Sequence, residues 1–241
     1  MKRVFVFVAS AVAFATTSTD AGVIGFSGFV RTASNGNIVV DVFAVMSNAS
    51  DRLLNIYNAN LTTTEGGSTL ATFVQQAGTA TRGWKPDANT STRSNDVDSF
   101  MTIGVDGGAP YEGQYYASAG TGADGNFTNW SSLAPTVPVN AGWFLSPPTL
   151  PDNVAASMAG MTGIRVNSNA AAAAGTLGVW CSHFVLASGD LGARWWNATA
   201  ASKDGITGAT ITNTGTMNMV PAPGVLALLG VAGFASRRRR A

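Results

Sequence analysis

The sequence predicts an all-β body, a single β-sandwich or jelly-roll-like domain with long loops, on three observations. Short runs rich in β-branched and aromatic residues recur through the middle of the chain. Turn chemistry separates them at Asp106-Gly107-Gly108, Asp124-Gly125-Asn126, Pro147-Pro148, Gly189-Asp190 and Asp204-Gly205. Helical periodicity is sparse. Roughly 200 residues remain once the two ends are set aside, and a domain of that size buries about 70% of its unfolded surface. The chain holds a single cysteine, Cys181, which excludes an intramolecular disulfide and leaves stability to the core.

The elements follow in order. Ile24 to Thr32 is the first strand. Asn37 to Met46 (NIVVDVFAVM) sets Ile38, Val40, Val42 and Ala44 on one face, and Val39, Phe43 and Val45 with Asp41 on the other, so it is expected to be buried on both sides. After the turn Ser47-Asn48-Ala49-Ser50-Asp51, Leu53 to Thr62 alternates Leu54 and Ile56 against Asn55 and Tyr57, which fits a hairpin partner nearer solvent. Further strands are expected at Ser68–Val74, Ser99–Val105, Gly113–Ala117, Gly142–Leu145, Gly163–Asn167 and Thr176–Leu186. Pro151-Asp152-Asn153 ahead of Val154 to Met158 marks a short helix, and Ala170 to Ala174 a further helical turn. Gly83 to Asn95 and Ser131 to Pro151 read as long surface loops. The domain is placed at 22–197, followed by a Thr/Asn/Gly-rich stalk at 198–219.

The two ends carry a different message. Lys2 and Arg3 form a basic start, Val4 to Ala15 is apolar apart from Ser10, and small residues follow at Ala13-Phe14-Ala15 and Thr19-Asp20-Ala21. This is the pattern of a secretory signal peptide over residues 1–21, with the mature chain beginning near Ala21 or Gly22. At the other end Val220-Pro221-Ala222-Pro223 precedes the apolar stretch Gly224 to Ala235 and the cluster Arg237, Arg238, Arg239 and Arg240. The sixteen residues from Val220 to Ala235 would make roughly 24 Å of helix, short of a hydrocarbon core of roughly 30 Å. Each arginine forced to mid-membrane costs about 2.5 kcal/mol or more, so four of them stop the tail on the cytoplasmic side.

Together these ends resemble the PEP-CTERM class of bacterial exported proteins, with the resemblance confined to residues 220–241 and the generic leader. Val220, Pro221, Ala222 and Pro223 occupy the sorting motif, with Ala222 where the class name has Glu. The resemblance implies transient anchoring in the inner membrane, processing near Pro221–Pro223 by an exosortase-type enzyme, and delivery to the cell surface or an exopolysaccharide-rich extracellular matrix. It implies nothing about the activity of the body. A sortase signal would need Leu-Pro-x-Thr-Gly, which is missing, and a lipid-anchor signal ends in its apolar tail without a basic cluster.

Setting aside Lys2, Arg3, Asp20 and Arg237–Arg240 leaves eight cations against twelve acids, a net charge of about −4. No basic stripe remains to track a phosphate backbone, so nucleic acid is not an expected partner. Cys181-Ser182-His183 sets the thiol and the imidazole on one face of a strand, a conceivable nucleophilic pair, but Trp180, Phe184 and Val185 around them read as core. Asp96, Asp98, Asp106, Glu112 and Asp124 cluster in the middle third. A glycoside hydrolase needs only two facing carboxylates, and the loops Asp96-Val97-Asp98 and Asp124-Gly125-Asn126 also offer oxygen ligands for Ca²⁺. Solvated turns account for the same residues.

No Gly-x-Ser-x-Gly, His-Glu-x-x-His or phosphate-binding glycine loop is present. Trp84, Trp130, Trp195 and Trp196 stand among loop and strand-end aromatics, together with Tyr111, Tyr115, Tyr116 and Trp143, where flat rings can stack on sugars. The expectation is an exported, non-enzymatic surface or matrix protein without a cofactor. A carbohydrate-binding module stands as the alternative and a secreted glycoside hydrolase as the third reading.

Overall fold

The computed structural model describes residues 22–76, 83–86, 94–104, 120–149, 153–190 and 192–220. The leader, the strand expected at 113–117, Tyr111, Tyr115, Tyr116, Asp106, Glu112 and everything from Pro221 onward lie outside the described residues. In chain order the elements are β1 (Val23–Thr32), β2 (Ile38–Met46), β3 (Arg52–Thr62), β4 (Phe100–Met101), β5 (Thr121–Ala123), β6 (Ala141–Leu145), β7 (Ala156–Ser157), β8 (Ile164–Asn167), α1 (Ala170–Ala174), β9 (Leu177–Leu186), β10 (Trp195–Lys203) and β11 (Thr210–Asn218).

The body is all-β and built as two antiparallel sheets. One runs β4-β9-β2-β1-β8, with β7 also paired to β9, and the other runs β11-β10-β3-β6-β5. Strand β2 is buried at every position, as its composition requires. Val40, Val42 and Ala44 enter the main core, while Phe43 and Val45 join a second cluster on the far side with Phe29, Phe100, Met158, Ala172 and Trp180. Helix α1 closes part of that far side. Asn169 caps it by accepting from the Ala172 N–H at 2.7 Å, and Arg165 donates to the Ala172 and Gly175 carbonyls at its end.

Between the sheets lies one apolar core. Phe26, Val40, Val42 and Phe184 meet Ile56, Leu61, Trp143, Trp196 and Met217. The Trp196 ring sits at the centre, with Phe26 at 5.2 Å, Trp143 at 6.0 Å and Phe184 at 6.1 Å, each close to edge-on. Such pairs are worth about 0.5–1.5 kcal/mol each beyond their buried area.

Five expectations change. The β3 run is not the hairpin partner of β2; it belongs to the opposite sheet, between β10 and β6. Both edges of β2 are taken by β1 and β9, so the chain crosses to the other layer at the 47–51 turn. The stretch 198–219 is not a stalk: it forms most of β10 and all of β11, paired along their whole length from Trp195↔Asn218 to Lys203↔Thr210. Its small and polar residues alternate, so Ala198, Ala200 and Met217 fill the core while threonines face out.

Val154 to Met158 is not a helix. It bridges Arg52 at Val154, and β7 pairs with the start of β9. The run at 68–74 makes only the isolated bridges Thr62↔Leu70 and Thr72↔Thr136, and the one at 99–105 shortens to β4.

Candidate functional site

The thiol and imidazole expected on one face are on opposite faces. The β2–β9 register shifts between Val42↔Ser182 and Phe43↔Trp180, which leaves Cys181 as the extra residue of a bulge. Alternation inverts there. Cys181 turns into the main core and donates to the Val42 carbonyl at 3.3 Å, while His183 and Trp180 share the outer face. Burial pushes the Cys181 thiol well above its ordinary range, which leaves it unreactive. The bulge has a structural use instead: the Cys181 carbonyl accepts from the Trp143 indole of the other sheet at 3.0 Å.

His183 is held from both sides. Its Nδ1 lies 2.7 Å from Asp41 Oδ1 and its Nε2 2.8 Å from the Asn95 carbonyl, and Phe100 stacks on the ring at 4.9 Å. Both Asp41 and His183 are fully buried. With both nitrogens engaged and its side chain fully buried, the ring is a clamp for the 94–100 segment.

The described carboxylates of the middle third are each committed locally. Asp96 pairs with Arg31 at 2.8 Å, and its carbonyl receives the side chains of Asn35 and Asn37. Asp98 accepts from the Gln76 N–H; burial raises its carboxyl above the usual range, with the Gln76 and Ser99 N–H groups and nearby His183 pulling the other way. Asp124, on the other sheet after β5, closes a turn by accepting from Asn126 and Phe127. Among the described residues no group of three His, Cys, Asp or Glu side chains converges on one point.

The four tryptophans divide. Trp84 and Trp196 are core residues, not stacking platforms: both are 0% exposed, and the Trp84 indole is spent on the Ala134 carbonyl at 3.0 Å. A core shared by two sheets needs large apolar side chains, and these two rings belong to it. Trp130 is half-buried, edge-on to Phe127 at 5.0 Å. Trp195 is half-buried too, and stands on the outer face of the second sheet because its neighbour Trp196 points inward.

That outer face carries a row of polar side chains. Directly paired residues share a face, so Trp195, Asn197, Thr199 and Lys203 of β10 line up with Asn218, Thr216, Thr214 and Thr210 of β11. On the other flank β3 sets Asn60 beside Asn197 and Tyr57 beside Thr199, and β6 sets Phe144 beside Asn55. Thr199 and Thr214 share a hydrogen bond at 2.7 Å, and Asn197 donates to Thr216 at 2.9 Å. Phe144 is 38% exposed, and a side chain at Gly122 would meet its ring at 3.1 Å. Arg52 and Lys203 are paired at one end of this face.

Tyr57, Phe144 and the threonine row were not singled out by sequence reasoning. The signal was present in Thr210, Thr212, Thr214 and Thr216, spaced two apart as one face of a strand requires.

Both ends of the described body are tied down. The Gly22 carbonyl accepts from Ser47 N at 2.9 Å, and Val23 N donates to Ser202. At the other limit Met219 donates to the Arg194 carbonyl at 2.7 Å, and Val220 is 2% exposed within the main core. Of the expected sorting motif, Val220 therefore belongs to the folded body, while Pro221, Ala222, Pro223 and Arg237–Arg240 lie outside the described residues. Among the described residues no helix is long and apolar enough to cross a membrane.

Comparison with known proteins gives no match to any family model, curated protein or solved structure.

Proposed function

We propose that this chain is the precursor of an exported protein. In this reading a β-sandwich is held for a time at the inner membrane by its tail, processed by an exosortase-type enzyme, and displayed at the cell surface or released into extracellular matrix. Two sheets sharing one core support the sandwich description. The observation that carries export is the sequence pattern on either side of the described body. Gly22 and Val220 are fixed in the body, and the leader and the Pro-x-Pro, apolar, arginine-rich tail adjoin them directly. The domain is not an enzyme in this reading and needs no cofactor. Its role is to be present outside the cell.

The test is fractionation of cells making the full chain, beside a variant with Arg237→Ser, Arg238→Ser, Arg239→Ser and Arg240→Ser. The natural chain is expected leader-cut and membrane-associated before release, and the serine variant is expected to lose membrane retention. Both chains remaining uncut in the cytosol would overturn the proposal.

A second reading, glycan binding, is favoured by the outer face of the second sheet. Trp195 and Tyr57 sit four residues apart along paired strands, roughly 13 Å, among hydroxyl and carboxamide groups that both donate and accept. Flat rings take the C–H faces of sugars, and neutral polar groups take their hydroxyls. A glycan array probed with the exported product tests this. Retention that survives Trp195→Ala with Tyr57→Ala would rule out this face.

A further inference from the structure

Asp51 is a fully buried carboxylate at the start of β3, and it gathers donors from three parts of the chain. Its Oδ2 accepts from Gly22 N at 2.9 Å, Asn48 N at 2.9 Å and Ser47 Oγ at 3.0 Å, and its Oδ1 from Gly205 N at 3.1 Å. No ion pair to it occurs among the described residues. Burying an ionised carboxylate without a cation is costly.

Gly22 N is the unusual donor. It lies 2.7 Å from Ser47 Oγ as well as 2.9 Å from Asp51 Oδ2, so one amide hydrogen faces two acceptors. An amide has one proton to give, whereas an ammonium has three. Position 22 is also closed to any side chain: a Cβ there would lie 2.8 Å from Ser202 Oγ and 2.9 Å from Ile211 Cβ, and φ is +119°.

We infer that the leader is removed between Ala21 and Gly22, and that the α-ammonium so created pairs with the buried carboxylate of Asp51. The inference rests on the export reading and adds to it the position of the cut and its consequence for the fold. Hydrolysis of the Ala21–Gly22 peptide bond by a leader peptidase consumes one water. It leaves a carboxylate on Ala21 and an amine on Gly22, which takes up a proton at neutral pH. Thr19 and Ala21 supply the small residues such a peptidase reads. The alternative cut after Ala15 would leave six further residues ahead of Gly22, whose nitrogen would then remain an amide with one hydrogen.

The pairing makes stability depend on pH in a defined direction. An α-amine titrates ordinarily at roughly 7.7–8.0, and a carboxylate partner raises that value in the folded state. Its stabilisation is therefore complete below the ordinary value and is lost as pH rises through the higher, folded one. The other charged groups on the elements packed there are Arg52, Lys203 and Asp204. Asp204 is engaged by Ile206 and Thr207 of its own turn.

The experiment is export of the full chain, isolation of the product and sequencing of its N-terminus. A chain beginning at Gly22 is expected. A cut chain beginning at Thr16 or elsewhere overturns the inference while leaving export intact, and an uncut cytosolic chain sinks export and the inference together. The α-amine is then labelled with an acylating reagent in the folded and the urea-unfolded product. Labelling several-fold slower in the folded chain is expected, and equal rates overturn the pairing.

In Asp51→Asn the cut should fall at the same bond, while the α-amine loses its protection and the alkaline fall in melting temperature disappears. An alkaline fall that persists unchanged in Asp51→Asn counts against the pairing. Should that variant not fold, the labelling ratio of the natural chain decides alone.

Discussion

Asp41 and His183 stand directly opposite each other on β2 and β9, carboxylate to imidazole at 2.7 Å, with solvent excluded from both. The second ring nitrogen lies 2.8 Å from the Asn95 carbonyl, so each nitrogen of the ring has an oxygen partner. A buried pair of this kind adds little over well-packed apolar side chains, but removing one member strands the other. Asp41→Ala or His183→Ala is expected to cost about 3–5 kcal/mol, and Asp41→Val with His183→Phe much less than the sum of the single losses. Urea unfolding of the four chains checks this, and additive losses would count against the pairing.

Trp195 and Trp196 are neighbours with opposite fates, which makes them a sensitive pair. Trp196→Ala removes the ring at the centre of the core and should cost about 3–5 kcal/mol. Trp195→Ala should cost under about 1 kcal/mol, because its ring stands on the outer face. Equilibrium unfolding measures both. On affinity gels containing polysaccharide, a loss of retention in Trp195→Ala at unchanged stability would support glycan contact by this face.

Truncation distinguishes a stalk from a structural element. A chain ending at Asn197 loses β11, most of β10, and the core side chains of Met217, Met219 and Val220. It should show no cooperative unfolding transition and no near-ultraviolet circular dichroism. A chain ending at Val220 should keep both. A cooperative transition in the shorter chain would contradict the strand assignment.

Asp204 and Asp98 should respond to acid in opposite senses. The Thr207 hydroxyl at 2.6 Å and the Ile206 N–H at 2.7 Å hold the Asp204 carboxyl below the usual range. Its contribution is therefore present above about pH 3.9 and lost as pH falls through the folded value. Burial raises Asp98, so its protonated form favours the fold below about pH 3.9, and that advantage is lost as pH rises through the raised value. At neutral pH Asp204→Asn should lower the urea midpoint and Asp98→Asn should hold or raise it, with both differences shrinking toward pH 3.

Much of the fold was legible in the sequence where a strand's own residues decide its environment. Eight of the nine positions of β2 are apolar, so burial on both faces follows whatever lies beside it. Its neighbours were not legible. The short 47–51 turn reads as a hairpin, yet β1 and β9 occupy both edges of β2 and send β3 to the other layer. The Thr- and Asn-rich 198–219 segment reads as a stalk by composition, although its period of two already marks a strand. Of the candidate site residues, Trp195 stands half-buried on the outer face and its neighbour Trp196 is in the core, because adjacent positions on a strand point to opposite faces, while Trp84 is buried from a turn.

By itself the sequence determined the all-β character and the two-sided burial of β2. Each is set by residue type or by a local period, and needs no knowledge of partners. Only the tertiary structure decided which strands share an edge, which face Cys181 and His183 occupy, and that Gly22 N meets Asp51 across twenty-nine residues. Pairing is a competition among distant segments for a limited number of edges, and a bulge of one residue reverses every face beyond it.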